Sequence, residues 1–187
     1  MLSIIMPATD LDKANSMMEE CEALFPGSQL IVSSNRQGLG KGWAVREALK
    51  QATGEFICFL DGDGDIAPKM IKRLIPYLVD YDIVCATKPI SGLWSRRIIT
   101  YWSRLYIALL FGMKVDSQTG LKLFRRHAIT SWYSNGWLFD LEILCLAKKD
   151  GCTMIEVPIE AEVNKGIKFI SLWKTLKESW TLWLELK

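Results

Sequence analysis

Three aspartates, Asp61, Asp63 and Asp65, are spaced by single glycines and follow directly on the apolar run Glu55-Phe-Ile-Cys-Phe-Leu60. Carboxylates this close repel one another and take up protons unless a cation compensates, and a hard divalent ion with oxygen ligands is the matching partner. Mg²⁺ or Mn²⁺ held by Asp61, Asp63 and Asp65 and bridging to a substrate diphosphate fits that chemistry. An EF-hand loop starting at Asp61 fails, because Ile66 and Lys72 stand where Gly and Glu are required. A haloacid-dehalogenase-type phosphatase also places D-x-D after a hydrophobic strand, but its later acidic pair has no adjacent Asp-Asp counterpart here. The plain alternative is a solvated Asp/Gly turn, with Asp65 capping a helix ahead of Pro68.

A second cluster is Gly38-Leu-Gly-Lys-Gly42, which is not a P-loop because Gly42 replaces the hydroxyl residue that should follow the lysine. Glycine-rich backbone ahead of a helix N-terminus suits an anion, with Lys41 as a point charge, and an ordinary turn accounts for it equally well. Arg97 and Arg104 are two turns apart in a stretch apolar around most of a helical circumference, so they share one helix face roughly 10 Å apart. Such a face suits a phosphate at a membrane surface, or simple snorkelling of both side chains. His127 is the only histidine, which excludes His-rich zinc sites and leaves carboxylates, Lys and Arg to carry any catalysis.

The elements that position these residues follow from periodicity. Leu2-Ser-Ile-Ile-Met6 reads as a strand ending at Pro7, followed by a helix with Leu11, Ala14, Met18, Cys21 and Phe25 inward. Gln29 to Ser33 is a second strand, and a helix carrying Ala44, Val45, Ala48 and Leu49 follows the glycine cluster. The run from Glu55 to Leu60 is apolar on both faces, as in a parallel sheet, so the aspartates sit at a strand's carboxyl end, where α/β folds bind ligands. One helix from Pro68 to Leu78, strands at Asp82–Ala86, Leu121–Phe124 and Thr153–Val157, and helices over 95–113 and 139–149 complete an α/β pattern with a mostly parallel sheet. The C-terminal segment places Phe169, Trp173, Leu176, Trp180 and Trp183 on one stripe of an amphipathic helix.

A length of 187 residues predicts one domain spanning 1–187. Twenty-three basic against 21 acidic residues leave a net charge of +2, too little for bulk nucleic-acid binding. Five cysteines with no CxxC pair predict buried thiols in a reducing compartment. Neither a signal peptide nor a spanning run of roughly 18 apolar residues is visible, yet eight tryptophans point to peripheral contact with a membrane surface.

Together these pieces resemble the polyprenyl- and dolichyl-phosphate hexose synthases of glycosyltransferase family two, which have the GT-A fold. Ser3-Ile-Ile-Met-Pro-Ala8, Gly40-Lys-Gly-Trp-Ala-Val-Arg46 with Ala52-Thr-Gly54, and Asp61-Gly-Asp63 carry the match. Asp116-Ser-Gln-Thr-Gly-Leu-Lys-Leu-Phe124, Gly136-Trp-Leu-Phe-Asp-Leu-Glu142 and Glu156-Val-Pro-Ile159 follow in the family's order, in a form closer to the glucose than to the mannose synthases. The family's V-D-D-G-S stretch is Val32-Ser-Ser-Asn35 here, and its G-S-K loop is Gly166-Ile-Lys168.

The resemblance implies an inverting, metal-dependent transfer of a hexose from a nucleotide diphosphate sugar, UDP-glucose or GDP-mannose, to a polyprenyl or dolichyl phosphate on the cytoplasmic face of a membrane. It implies catalytic roles for Asp63 and Asp116, and nucleotide-sugar contacts from Pro7, Ala8, Asp10, Lys41, Asp61, Asp63, Asp140 and Glu142. Lipid-phosphate contacts fall to Arg97, Arg104, Lys122 and Lys168. A non-catalytic binding module on the same fold is the alternative.

Overall fold

In the computed structural model, residues 1–34, 38–88, 94–113, 115, 117, 119–160 and 169–186 are described, with side chains for all of them except 95–97, 99, 100 and 169–176. Six strands form one sheet in the order β2-β1-β3-β5-β4-β6. They are β1 (Leu2–Ala8), β2 (Gln29–Ser34), β3 (Phe56–Leu60), β4 (Ile83–Thr87), β5 (Leu121–Arg125) and β6 (Met154–Pro158). β5 runs antiparallel to β3 and β4, and every other pairing is parallel. β5 begins beside the end of β3, where the Asp61 amide donates to Gly120 O at 2.8 Å.

Alternation along the strands divides the core between the two faces of the sheet. Ile4, Met6, Cys58, Leu60, Val84 and Leu123 pack on one side with α1 (Leu11–Leu24), which contributes Ala14, Met17, Met18 and Cys21, and with α3 (Ile71–Leu74). Ile5, Ile57, Phe59, Cys85 and Phe124 pack on the other with α2 (Lys41–Leu49) and α5 (Phe139–Lys149). Each fully buried aliphatic side chain contributes on the order of 1.5–3 kcal/mol of transfer free energy. All five cysteines are free thiols, four buried and Cys152 half-buried.

The expected helix over 68–78 is broken into a 3₁₀ turn (Pro68–Met70), α3 and a second 3₁₀ turn (Ile75–Val79). Pro76 explains the break, since it lacks an N–H and its ring conflicts with the carbonyl four residues earlier. The two outer helices are α4 (Trp94–Phe111) and α6 (Phe169–Glu185), joined by a Tyr106–Ser179 hydroxyl contact of 3.2 Å. On α6 the buried face carries Ser179 and Leu182, while Trp180 points outward at 52% exposure with its ring 5.2 Å from that of Trp183. Trp173 and its neighbours Phe169 and Leu176 have side chains outside the described set. Among the described residues no helix is long and apolar enough to cross a membrane.

Candidate active site

The site is assembled at the carboxyl edge of the sheet from the turn after β3, the loop before α2, the start of α5 and the end of β4. Asp61 is locked by its surroundings. Lys41 Nζ donates to Asp61 Oδ1 at 2.6 Å, and Gly120 lies so close that a Cβ there would sit 2.3 Å from Asp61 Oδ2. Burial pushes the Asp61 carboxyl above its ordinary value, with Lys41 pulling the other way. Gly62 donates to Pro7 O at 3.1 Å, and Ala8 is buried beneath it, so Pro7 and Ala8 shape the floor through backbone and packing.

Asp63 is exposed, and its Oδ1 accepts from the Asp65 amide at 3.1 Å. Asp65 Oδ2 lies 3.9 Å from Lys88 Nζ at the end of β4. The three carboxylates expected to share one metal therefore do not gather around one point, because Asp61 is turned to Lys41 and Asp65 toward Lys88. Exposed Asp63 remains the hard oxygen donor that fits a divalent ion whose coordination a diphosphate completes.

The glycine loop differs from a free anion cradle. The Gly42 amide donates to Asn135 O at 2.8 Å, and the Trp43 amide to the same oxygen at 3.4 Å, so these first-turn donors of α2 are engaged. Gly40 is required by this approach: its φ is +106°, and a Cβ would lie 2.0 Å from Asn135 O. Arg46 clamps the same loop, reaching Asn135 Oδ1 at 3.0 Å and lying 5.3 Å from the Trp132 ring centroid. Lys41 faces the cleft between Asp61 and the ring of Trp137, 5.5 Å away.

Several expected contacts take other roles. Glu142 is buried and both its oxygens accept backbone amides, Tyr133 N and Ser134 N at 2.8 Å each, so it anchors the 133–136 loop instead of touching a sugar. Asp10 caps α1 by accepting from Lys13 N at 3.1 Å. Lys122 is 1% exposed and donates to Asp140 Oδ2 at 2.9 Å, which removes it from any lipid phosphate; both faces of β5 are covered, and its alternation puts Lys122 on the α2 and α5 side with Phe59 and Cys85. Asp140 keeps its other oxygen, Oδ1, buried without a hydrogen-bond partner among the described residues. Asp116, Lys168 and the Arg97 side chain lie outside the described residues.

Arg104 is described, and its guanidinium donates to Thr87 Oγ1 at 2.8 Å. With Arg73, Lys88 and Glu156 it lines a cleft of about 420 Å³ that adjoins Asp65 through Lys88. Arg73 and Lys88 were not singled out by sequence. A cation directly beyond the apolar run of β4 is the signal that could have found Lys88.

Sheet order, the acidic turn after β3 and the reversed β5 beside it define the GT-A class of glycosyltransferase fold. The fold of glucosyl-3-phosphoglycerate synthase from Mycobacterium tuberculosis, solved with Mn²⁺, UDP-glucose and phosphoglyceric acid, superposes on 99% of this chain and 79% of that one with a TM-score of 0.76 at 16% identity. The family model of Glycosyl transferase family 2 matches residues 11–138, and the chain belongs to that family. In sequence it is similar to the dolichyl-phosphate beta-glucosyltransferases of Saccharomyces cerevisiae (29% identity, 71% of this chain, 47% of that protein) and Dictyostelium discoideum (28%, 76% and 49%). The chain thus spans about half the length of the curated relatives it matches.

Proposed function

We propose that this chain transfers glucose from UDP-glucose to a polyprenyl or dolichyl phosphate at a membrane surface, in one inverting step. The observation that carries the reading is the pairing of an acidic turn with a cleft lined by Arg73, Lys88 and Arg104 as well as Glu156 and Glu160, across the 3.9 Å Asp65–Lys88 contact, which supports a diphosphate site beside an anion site. The names of the sequence relatives support the acceptor, and the Mn²⁺ and UDP-glucose of the structural neighbour support the donor.

The acceptor phosphate oxygen is already anionic, so the step needs no strong base and rests on positioning and charge stabilisation. Asp63 would hold a divalent Mg²⁺ or Mn²⁺ ion together with the donor's diphosphate, and such an ion would neutralise charge on the leaving group. Lys41 stands beside it as a fixed cation, and Asp61, oriented by Lys41 and Gly120, offers its second oxygen to the donor. The unpartnered Asp140 Oδ1 accepts from a sugar hydroxyl, which satisfies an otherwise costly buried acceptor. Arg104 and Lys88 hold the acceptor phosphate, with Asp116 placed beside the acceptor.

The lipid's chain is met by the outer helices. Trp94, Ile98, Trp102 and Leu109 on α4 are all exposed, Trp94 and Leu109 at 79% each, and this stripe lies on the helix that carries Arg104. An apolar, Trp-bearing stripe next to a cationic cleft suits the interface of a cytoplasmic leaflet. The test is a screen of UDP-glucose and GDP-mannose with a short polyprenyl phosphate, with and without Mn²⁺. Mn²⁺-dependent glucosyl transfer is the expected result, GDP-mannose as the better donor overturns the sugar, and donor binding without transfer supports a non-catalytic module.

A further inference from the structure

On the opposite edge of the sheet, where β4 and β6 begin and β5 ends, three residues remote in sequence come together. Asp82 directly precedes β4, His127 sits in the 3₁₀ turn after β5 (Arg126–Ala128), and Cys152 lies two residues before β6. One donor atom from each falls within 4.8 Å of the others, and His127 Nε2 is 3.0 Å from Asp82 Oδ1. We propose that Asp82, His127 and Cys152 hold a borderline-soft divalent cation of the zinc type, a site separate from the active cleft.

The donor set suits such an ion: one imidazole nitrogen, one thiol sulfur and one carboxylate oxygen, with a fourth position left to water. Metal–ligand bonds of about 2.0–2.3 Å put the donors of a tetrahedral site roughly 3.3–3.8 Å apart, so closing the present spread asks for about 1 Å. Half-exposed Cys152 and the mostly exposed ring of His127 are free to supply that movement. Asp82 is already oriented from behind, because its Oδ2 accepts from Thr153 N at 2.8 Å and Thr153 Oγ1 at 2.7 Å and leaves Oδ1 toward His127. That is the supporting shell a ligating carboxylate needs. Arg125 Nε, 4.0 Å from Asp82 Oδ1, opposes a cation, but its guanidinium is drawn away by Leu78 O at 2.6 Å. On binding, the Cys152 thiol loses its proton to solvent as the metal–sulfur bond forms. The ion would tie the entries of β4 and β6 to the exit of β5.

Cobalt tests the site, since a thiolate–Co²⁺ charge-transfer band reports a sulfur ligand and the other four cysteines are buried. With Asp63→Ala protein, to silence the cleft, Co²⁺ titration should saturate at one equivalent with that band, and Zn²⁺ should displace it and raise the melting temperature. Cys152→Ala and His127→Gln should each abolish the band while keeping the wild-type circular dichroism, and Thr153→Val should weaken affinity about 10–100-fold. No thiolate band at saturating Co²⁺, or a band that persists in Cys152→Ala, overturns the proposal.

Discussion

Lys122 Nζ lies 2.9 Å from Asp140 Oδ2 in a largely buried ion pair, with Lys122 also donating to the Thr119 carbonyl. Removing one member leaves a buried charge without compensation, which costs far more than the pair itself is worth. Lys122→Met should therefore destabilise the fold by on the order of 3–5 kcal/mol in urea denaturation. The double variant Lys122→Met/Asp140→Leu should recover most of that loss while remaining inactive. A single variant as stable as wild type would show that the pair does not carry this role.

Asp63 differs, because it is exposed and its substitution opens no cavity. Asp63→Ala should keep the wild-type melting temperature and lower glucosyl transfer by about 10²–10³-fold, the scale of losing one charge-stabilising group. Excess chelator should abolish transfer in the wild type. Full transfer by Asp63→Ala, or in chelator, would remove the metal from the mechanism.

Arg104 reaches the cleft from α4 while its guanidinium is steadied by Thr87, so its loss should be felt by the acceptor and not by the donor. Arg104→Gln should raise the KM for polyprenyl phosphate with little change in UDP-glucose binding measured by calorimetry, and Lys88→Gln should do the same. A change confined to donor affinity would move both residues to the nucleotide side.

The sheet was legible because its strands are short apolar runs and its helices keep a clear period; Glu55 to Leu60 and Phe139 to Lys149 fall where the pattern puts them. The helix over 68–78 misled because its apolar spacing outweighed one proline, although Pro76 acts on the backbone whatever the pattern says. At the site, residue type indicated chemistry but not direction. Lys122 and Glu142 carry the right charges and point into the protein, since β5 is covered on both faces and the start of α5 turns Glu142 inward. Asp82, His127 and Cys152 form no local motif at all, and only the ends of three strands bring them together.

Asp82 also sets a pH dependence. Hydrogen bonds from Thr153, with His127 adding to them, hold its carboxyl below the ordinary value. A carboxylate with a lowered folded pKa contributes stability that is fully present above the unfolded value and is lost as pH falls through the folded one. In metal-free buffer, Asp82→Asn should therefore be less stable than wild type at neutral pH, and the gap in urea midpoints should close below about pH 4, the ordinary aspartate range. A gap that is unchanged from neutral to acid would mean that Asp82's charge is not what stabilises this edge.

The outer helices separate membrane contact from core packing, because between them they offer residues of both kinds. Trp102 on α4 is 62% exposed, whereas Leu182 on α6 is 3% exposed and lies in the core. If α4 lies in the interface, its exposed stripe contributes by burying apolar area among acyl chains, and a carboxylate there repels anionic headgroups. Trp102→Glu should then release the protein from phosphatidylserine-containing liposomes in cosedimentation while leaving the melting temperature within a few degrees of wild type. Trp180→Glu, outward on α6, should behave in the same way if both helices meet the bilayer. Leu182→Glu should instead unfold the protein, since it places a charge inside packed apolar surface. Wild-type protein that stays in the supernatant with such liposomes would assign the α4 stripe to another partner and leave the acceptor to be sought in solution.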